Sequence, residues 1–190
     1  MVTRAALRRA APSPGSRCVV VGAGSQGTLL CLTLLAAGFV PVVAEPHPGR
    51  RRRAEDLGAR PFVPGETFAT VFETSGAPAA WSTAVEAVDR AGTLVLIGQH
   101  DGPSSINTHD LVQRQVTIVG SLIYDHPQDF AAAIADLPVV VDALTGLMEP
   151  EPRETDRAGA AFDAVSRADR KVWLCPQDVP NADSPSPSVR

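Results

Sequence analysis

The sequence predicts an α/β fold, a doubly wound parallel sheet built as a single domain, and three observations carry that expectation. Short apolar runs alternate with helical patterns along most of the chain, which points to strands covered by helices on both faces. A glycine-rich turn joins the first apolar run directly to the next helix. The chain has 190 residues, enough for one core, with 44% hydrophobic and 20% charged residues as in ordinary globular proteins.

Residues 3–11 (TRAALRRAA) read as a short helix closed by Pro12-Ser13-Pro14-Gly15. Cys18-Val19-Val20-Val21 is a compact apolar run suited to a buried parallel strand. Residues 26–37 then form a helix ending at Gly38, and 39–44 a second strand finishing at Glu45. A short helix is expected at 50–57 and a third clear strand at 69–73. Residues 78–90 carry a helical pattern in Trp81, Ala84, Val85 and Val88 that stops at Gly92. Strands follow at 93–97 and 116–123, helices at 127–136 and 158–167, and a last strand at 171–174. The domain plan is a helix and linker over 1–16, the main domain over 17–138 and a C-terminal segment over 139–179. A Pro/Ser/Asp-rich tail, 180–190, is expected to be disordered.

Composition excludes several function classes. The net charge of −4 gives no broad attraction to nucleic acid or anionic membrane. Cys18, Cys31 and Cys175 are too scattered for a disulfide framework or a zinc cage, so no metal site is expected in this chain. The opening residues lack an apolar signal core and no stretch is long enough to span a bilayer, which makes a reducing cytoplasm the expected location. Ser75 is outside any nucleophile elbow, and no catalytic Ser/His/Asp set is visible.

The turn Gly22-Ala23-Gly24-Ser25-Gln26-Gly27 carries the chemistry. With a strand before it and a helix after it, it matches the dinucleotide-binding pattern of Rossmann folds. Gly22 allows the tight turn, Gly24 lets backbone approach a pyrophosphate, and Gly27 lets helix and sheet pack closely. The amides around Ser25 and Gln26 present the positive end of the helix to phosphates. Glu45 lies 18 residues beyond Gly27, near the roughly 20 expected of the acid that binds the adenosine ribose hydroxyls. A carboxylate there favours NAD over NADP. Arg50-Arg51-Arg52-Arg53 complicates that preference: Arg50 is a candidate for a 2′-phosphate, against a solvated helix start for the whole cluster.

These blocks together resemble the cofactor-binding domain of the zinc-type medium-chain alcohol dehydrogenases. The likeness runs over residues 7–175 through ALRRAAPSPGSRCVVVGAGSQG, VVAEPHPGRRRRAEDLGA, VFETSGAPAAWSTAVEAVDRAGTLVLIG, LVQRQVTIVGS and AFDAVSRADRKVWL. The resemblance implies NAD as cofactor. It also implies that Thr74, Ser75, Gly76, Ile97 and Gly98 lie at strand ends beside the adenine and ribose. Gly120, Ser121 and Leu122 would present backbone to the nicotinamide.

Two departures from the family stand out. The stretch over 59–69 is short, which curtails a helix and a third strand on the adenine side. The catalytic GroES-like domain and its zinc ligands are absent, so the chain reads as truncated, with catalysis supplied by a separate polypeptide. The alternative is a catalytically silent NAD-binding module. Leu29, Leu30, Cys31, Leu32, Leu34 and Leu35 make helix 26–37 apolar nearly all round, so it expects cover on more than one side. His47, His100, His109 and His126 fit surface or capping roles, and Tyr124, Asp125 and His126 read as a solvated loop, with a substrate-facing role as the alternative. The strand at 116–123 is an expected homodimer edge, unless 139–175 folds back over it.

Overall fold

The computed structural model describes residues 1–100, 102–149, 153–154, 158–165 and 170–175. It divides into two compact units, Met1–Leu144 and Thr145–Arg190. The expected tail at 180–190 lies outside the described residues.

The first unit is a six-stranded, wholly parallel sheet. Its elements are α1 (Val2–Ala10), β1 (Cys18–Val21), α2 (Ser25–Ala36), β2 (Val42–Ala44), α3 (Pro48–Asp56), β3 (Arg60–Pro61) and β4 (Phe68–Glu73). They continue with α4 (Pro78–Ala87), β5 (Val88–Leu96), α5 (Thr108–Arg114), β6 (Thr117–Gly120) and α6 (Gln128–Thr145). The strand order is β3-β2-β1-β4-β5-β6. The chain starts at the centre, winds outward, then returns to β4 on the other side of β1. That reversal opens a crevice beyond the carboxyl ends of β1 and β4, where ligands of such sheets bind.

Side-chain alternation splits the core between the sheet's two faces. Val20, Phe72 and Val95 face Leu30, Cys31 and Leu34 of α2 and Ala6 of α1. Val19, Val21, Val71 and Leu94 join Phe68, Ala84 and Val88 on the opposite face. The apolar helix α2 finds its second covering in α1, whose Ala5 and Ala6 are fully buried. Thr33 on α2 and Thr3 on α1 are hydrogen-bonded at 2.8 Å within that contact.

Several boundaries differ from expectation. Strand β2 begins at Val42 rather than 39 because Gly38, at φ +85°, and Phe39, whose N–H donates to Leu34 O at 2.9 Å, close helix α2. Helix α4 ends at Ala87, and the apolar Val88 pairs with Phe68 instead of completing the helical face. The expected strand 116–123 narrows to Thr117–Gly120, and the helix expected over 127–136 runs from Gln128 to Thr145 with Pro138 inside it. The boundary expected between 138 and 139 thus falls within a helix. The short 59–69 stretch retains a two-residue β3 paired with β2. Helix α5 has no counterpart in the expectations. Its start is capped by Asn107, whose side chain accepts from Asp110 N at 3.2 Å.

α6 is tied to α1 by charge. Arg8 is bidentate to Asp129 at 3.0 Å, with Asp125 beside it, and Arg4 pairs with Asp136. These contacts hold the Asp129 carboxyl below the ordinary carboxylate range and push the Arg8 guanidinium upward.

The second unit pairs β7 (Arg153–Glu154) with β8 (Leu174–Cys175) in parallel, with α7 (Ala158–Val165) between them in sequence. The expected strand at 171–174 appears as a bridge from Lys171 to Met148 followed by β8.

Candidate functional site: a crevice at the carboxyl ends of the strands

The glycine turn occupies the crevice at the switch point. Gly22 sits at φ +95°, a conformation that side-chain-bearing residues rarely adopt. A Cβ on Gly27 would lie 1.9 Å from the Gly22 carbonyl oxygen, so the start of α2 fits against the turn only without a side chain. Gly24 has open space where a Cβ would be, and Ser25 and Gln26 are exposed beside it. The first-turn amides of α2 have no intrahelical acceptors and open onto this space. Thr74 fastens the turn from β4: its hydroxyl lies 3.0 Å from Val21 O and 3.2 Å from Gly22 O.

Glu45 is pinned beside the same turn. Ala23 N donates to its Oε2 at 2.7 Å, and His47 N to its Oε1 at 2.8 Å. Each carboxylate oxygen has further lone pairs for an incoming hydroxyl. His47 caps α3, its ring Nδ1 accepting from Arg50 N at 3.4 Å.

Two cavities lie at the carboxyl ends of the strands. A cavity of about 590 Å³ brings together Gly22, Glu45, Arg50, Arg51, Phe62 and Ser75. Arg51 is anchored there, donating to Glu45 O at 3.0 Å and lying 3.9 Å from Glu55. The second, of about 410 Å³, is lined by Arg9, Ile97, Gly98, Gly120, Ser121 and Leu122. Of the sequence-predicted residues, Gly22, Glu45, Arg50 and Ser75 line the first cavity and Ile97, Gly98, Gly120, Ser121 and Leu122 the second, while Gly76 and Gly98 line a smaller one of about 230 Å³ with Glu73. Ile97 and Gly98, expected beside the adenine and ribose, line the second cavity with 120–122 rather than the first. Ser121 N donates to Leu96 O at 2.8 Å and so is not available to a ligand. Its hydroxyl, by contrast, is buried without a hydrogen-bond partner among the described residues.

One residue of the crevice escaped sequence reasoning. Glu73, at the end of β4, is 3% exposed, and its Oε1 accepts from Ser75 N, Ser75 Oγ and Gly76 N at 2.8–2.9 Å. The available signal was an acid closing an otherwise apolar strand immediately before Thr74-Ser75-Gly76.

The described residues do not fit a zinc ion. No group of three or more His, Cys, Asp and Glu among them could hold a metal. Cys18 and Cys31 are core residues whose thiols burial pushes up to about 11 and about 12. No helix among the described residues is long and apolar enough to cross a membrane.

Comparison with known proteins bears on this geometry. Residues 26–137 match the family model described as zinc-binding dehydrogenase. L-Galactonate-5-dehydrogenase of Escherichia coli (strain K12) is 30% identical over 141 residues, which are 66% of this chain and 41% of that protein. The chain thus spans about two-fifths of that relative's length. The structure of 2R,3R-butanediol dehydrogenase from Bacillus subtilis superposes with a TM-score of 0.77 at 23% identity, covering 95% of this chain and 55% of that one. S. aureus TarJ in complex with NADPH gives 0.79 at 21% identity, covering 92% and 61%. With the switch-point crevice and its glycine turn, the match over residues 26–137 places this chain in the zinc-binding dehydrogenase family, as a dinucleotide-binding Rossmann domain.

Proposed function

We propose that this chain is the NAD(H)-binding domain of an alcohol or polyol oxidoreductase, with the adenosine half of the cofactor in the larger cavity and the nicotinamide half in the smaller. The observation that carries the preference for NAD is Glu45, a carboxylate held by two backbone amides at the mouth of the larger cavity. A 2′-phosphate there would meet a fixed negative charge, whereas ribose hydroxyls would donate to it. The bound cofactor supplies a hydride acceptor or donor at nicotinamide C4. The chain's own part is to bind and orient: Gly24, Ser25 and Gln26 offer backbone amides to the pyrophosphate.

A homodimer through β6 is part of the same reading: β6 ends the sheet, and Leu122 and Ile123 just beyond it are 67% and 64% exposed. A reducing cytoplasm suits the buried thiols Cys18 and Cys31.

Calorimetric titration of the purified chain with NADH tests the cofactor reading. One saturable site is expected, with Glu45→Ala weakening it by roughly 1.5–3 kcal/mol, the worth of a charged hydrogen bond. Unchanged affinity in that variant removes Glu45 from the site. Sedimentation of a dimer at micromolar concentrations supports the β6 contact, and a clean monomer contradicts it.

A further inference from the structure

Glu73 does more than end a strand. Its carboxylate is buried, and one oxygen gathers the whole turn after β4 through Ser75 N, Ser75 Oγ and Gly76 N. Its main-chain carbonyl gathers the turn after β5, accepting from Ile97 N at 2.8 Å and Gly98 N at 3.0 Å. The two turns meet backbone to backbone across it. A Cβ on Gly76, at φ +71°, would lie 2.1 Å from Gln99 O, and one on Gly98 would lie 2.2 Å from Gly76 N and 2.5 Å from the second Glu73 oxygen. Ser75 belongs to the 590 Å³ cavity and Gly98 to the 410 Å³ cavity. One residue therefore holds a wall of each.

We propose that Glu73 is a positioning residue that sets the spacing between the two cavities so that a single dinucleotide can occupy both. This rests on the cofactor reading given above. A ligand with two linked ends gains affinity from the second end only where the distance between sites suits the linkage. Loosening the Ser75–Gly76 turn from the Ile97–Gly98 turn costs the full dinucleotide more than it costs a ligand filling one cavity. The role needs an acceptor oxygen at the Oε1 position rather than a charge, because all three side-chain bonds end on that atom.

The test compares NADH and AMP affinities, by titration, for the wild-type chain, Glu73→Gln, Glu73→Asp and Glu73→Ala, with thermal melts alongside. Glu73→Gln keeps an acceptor in place and stays within about 3-fold of wild type for both ligands. Glu73→Asp is one methylene short and, like Glu73→Ala, loses about 10-fold or more in NADH affinity beyond any loss for AMP. Equal losses for NADH and AMP overturn the proposal, since a merely structural role weakens both alike. So does a Glu73→Gln variant as impaired as Glu73→Asp, or a Glu73→Ala variant that binds NADH like wild type. Should Glu73→Ala fail to fold, the Gln and Asp variants carry the comparison. A wild-type chain that binds neither NADH nor NADPH defeats the cofactor reading itself, whereas these other outcomes defeat only the role given to Glu73.

Discussion

The centre and the outer edge of the sheet are made from similar residues and are held in different ways. In β1, Cys18, Val19, Val20 and Val21 are all at most 3% exposed, with strands on both sides and helices on both faces. In β6, the comparable run Thr117–Gly120 contains no buried residue. What secures the edge region is directional. Arg114 donates to Val88 O at 2.7 Å and Val85 O at 3.0 Å, and the Arg4 and Arg8 pairs fasten α6 to α1. Apolar burial is additive and tolerant of geometry, so it supplies the bulk of the stability at the centre. Charge-assisted bonds are fewer and depend on alignment and protonation, which makes the edge the more adjustable part.

Substitutions that act on one region at a time sharpen this contrast. The largest effect is expected from Phe72→Ala, at a fully buried position of β4. Chemical denaturation should show a loss of about 3–5 kcal/mol, the usual cost of emptying an aromatic site in a core. Asp129→Asn comes next, at roughly 1.5–3 kcal/mol, because it leaves Arg8 without its buried partner. The same carboxylate gives the edge a pH dependence. Its folded value is depressed, chiefly by the Arg8 hydrogen bond, so its contribution is complete above the unfolded value of about 3.9 and is lost as pH falls through the folded value. Hydrogen exchange in α6 should accelerate in that acid window in the wild type and depend less on pH in Asp129→Asn. The smallest effect is expected from Ile118→Ala on β6, about 1 kcal/mol, since that side chain is only half-buried. A loss there as large as that of Phe72→Ala would erase the distinction between centre and edge.

The same distinction explains what the sequence made legible. β1, the glycine turn and α2 were readable because their signals are local: a solid apolar run, glycines where backbone approaches backbone, and a helix apolar all round. The place of Glu45 beside the glycine turn was readable from spacing alone. Val88 was misread because its burial comes from pairing with Phe68, a partner 20 residues away, while its spacing from Trp81 and Ala84 imitates a helix face. That Ile97 and Gly98 line a cavity with Gly120, Ser121 and Leu122 was not legible, because resemblance supplies strand ends without saying which cavity each one lines. Helix α5 was missed because it is short and has no buried residue, leaving only the Asn107 cap as a signal. Glu73 went unnoticed because its importance lies in a turn that folds back onto it, which no periodicity encodes.

We propose that the larger cavity selects by the carboxylate of Glu45 and not by the guanidinium groups of Arg50 and Arg51 that line it as well. Both predict dinucleotide binding, and they disagree about the 2′-phosphate. Parallel titrations of the wild-type chain with NADH and NADPH separate them most directly. Tighter binding of NADH is expected, with the gap narrowing in Glu45→Ala. Tighter binding of NADPH by the wild-type chain would contradict it and would make the arginines the selecting groups.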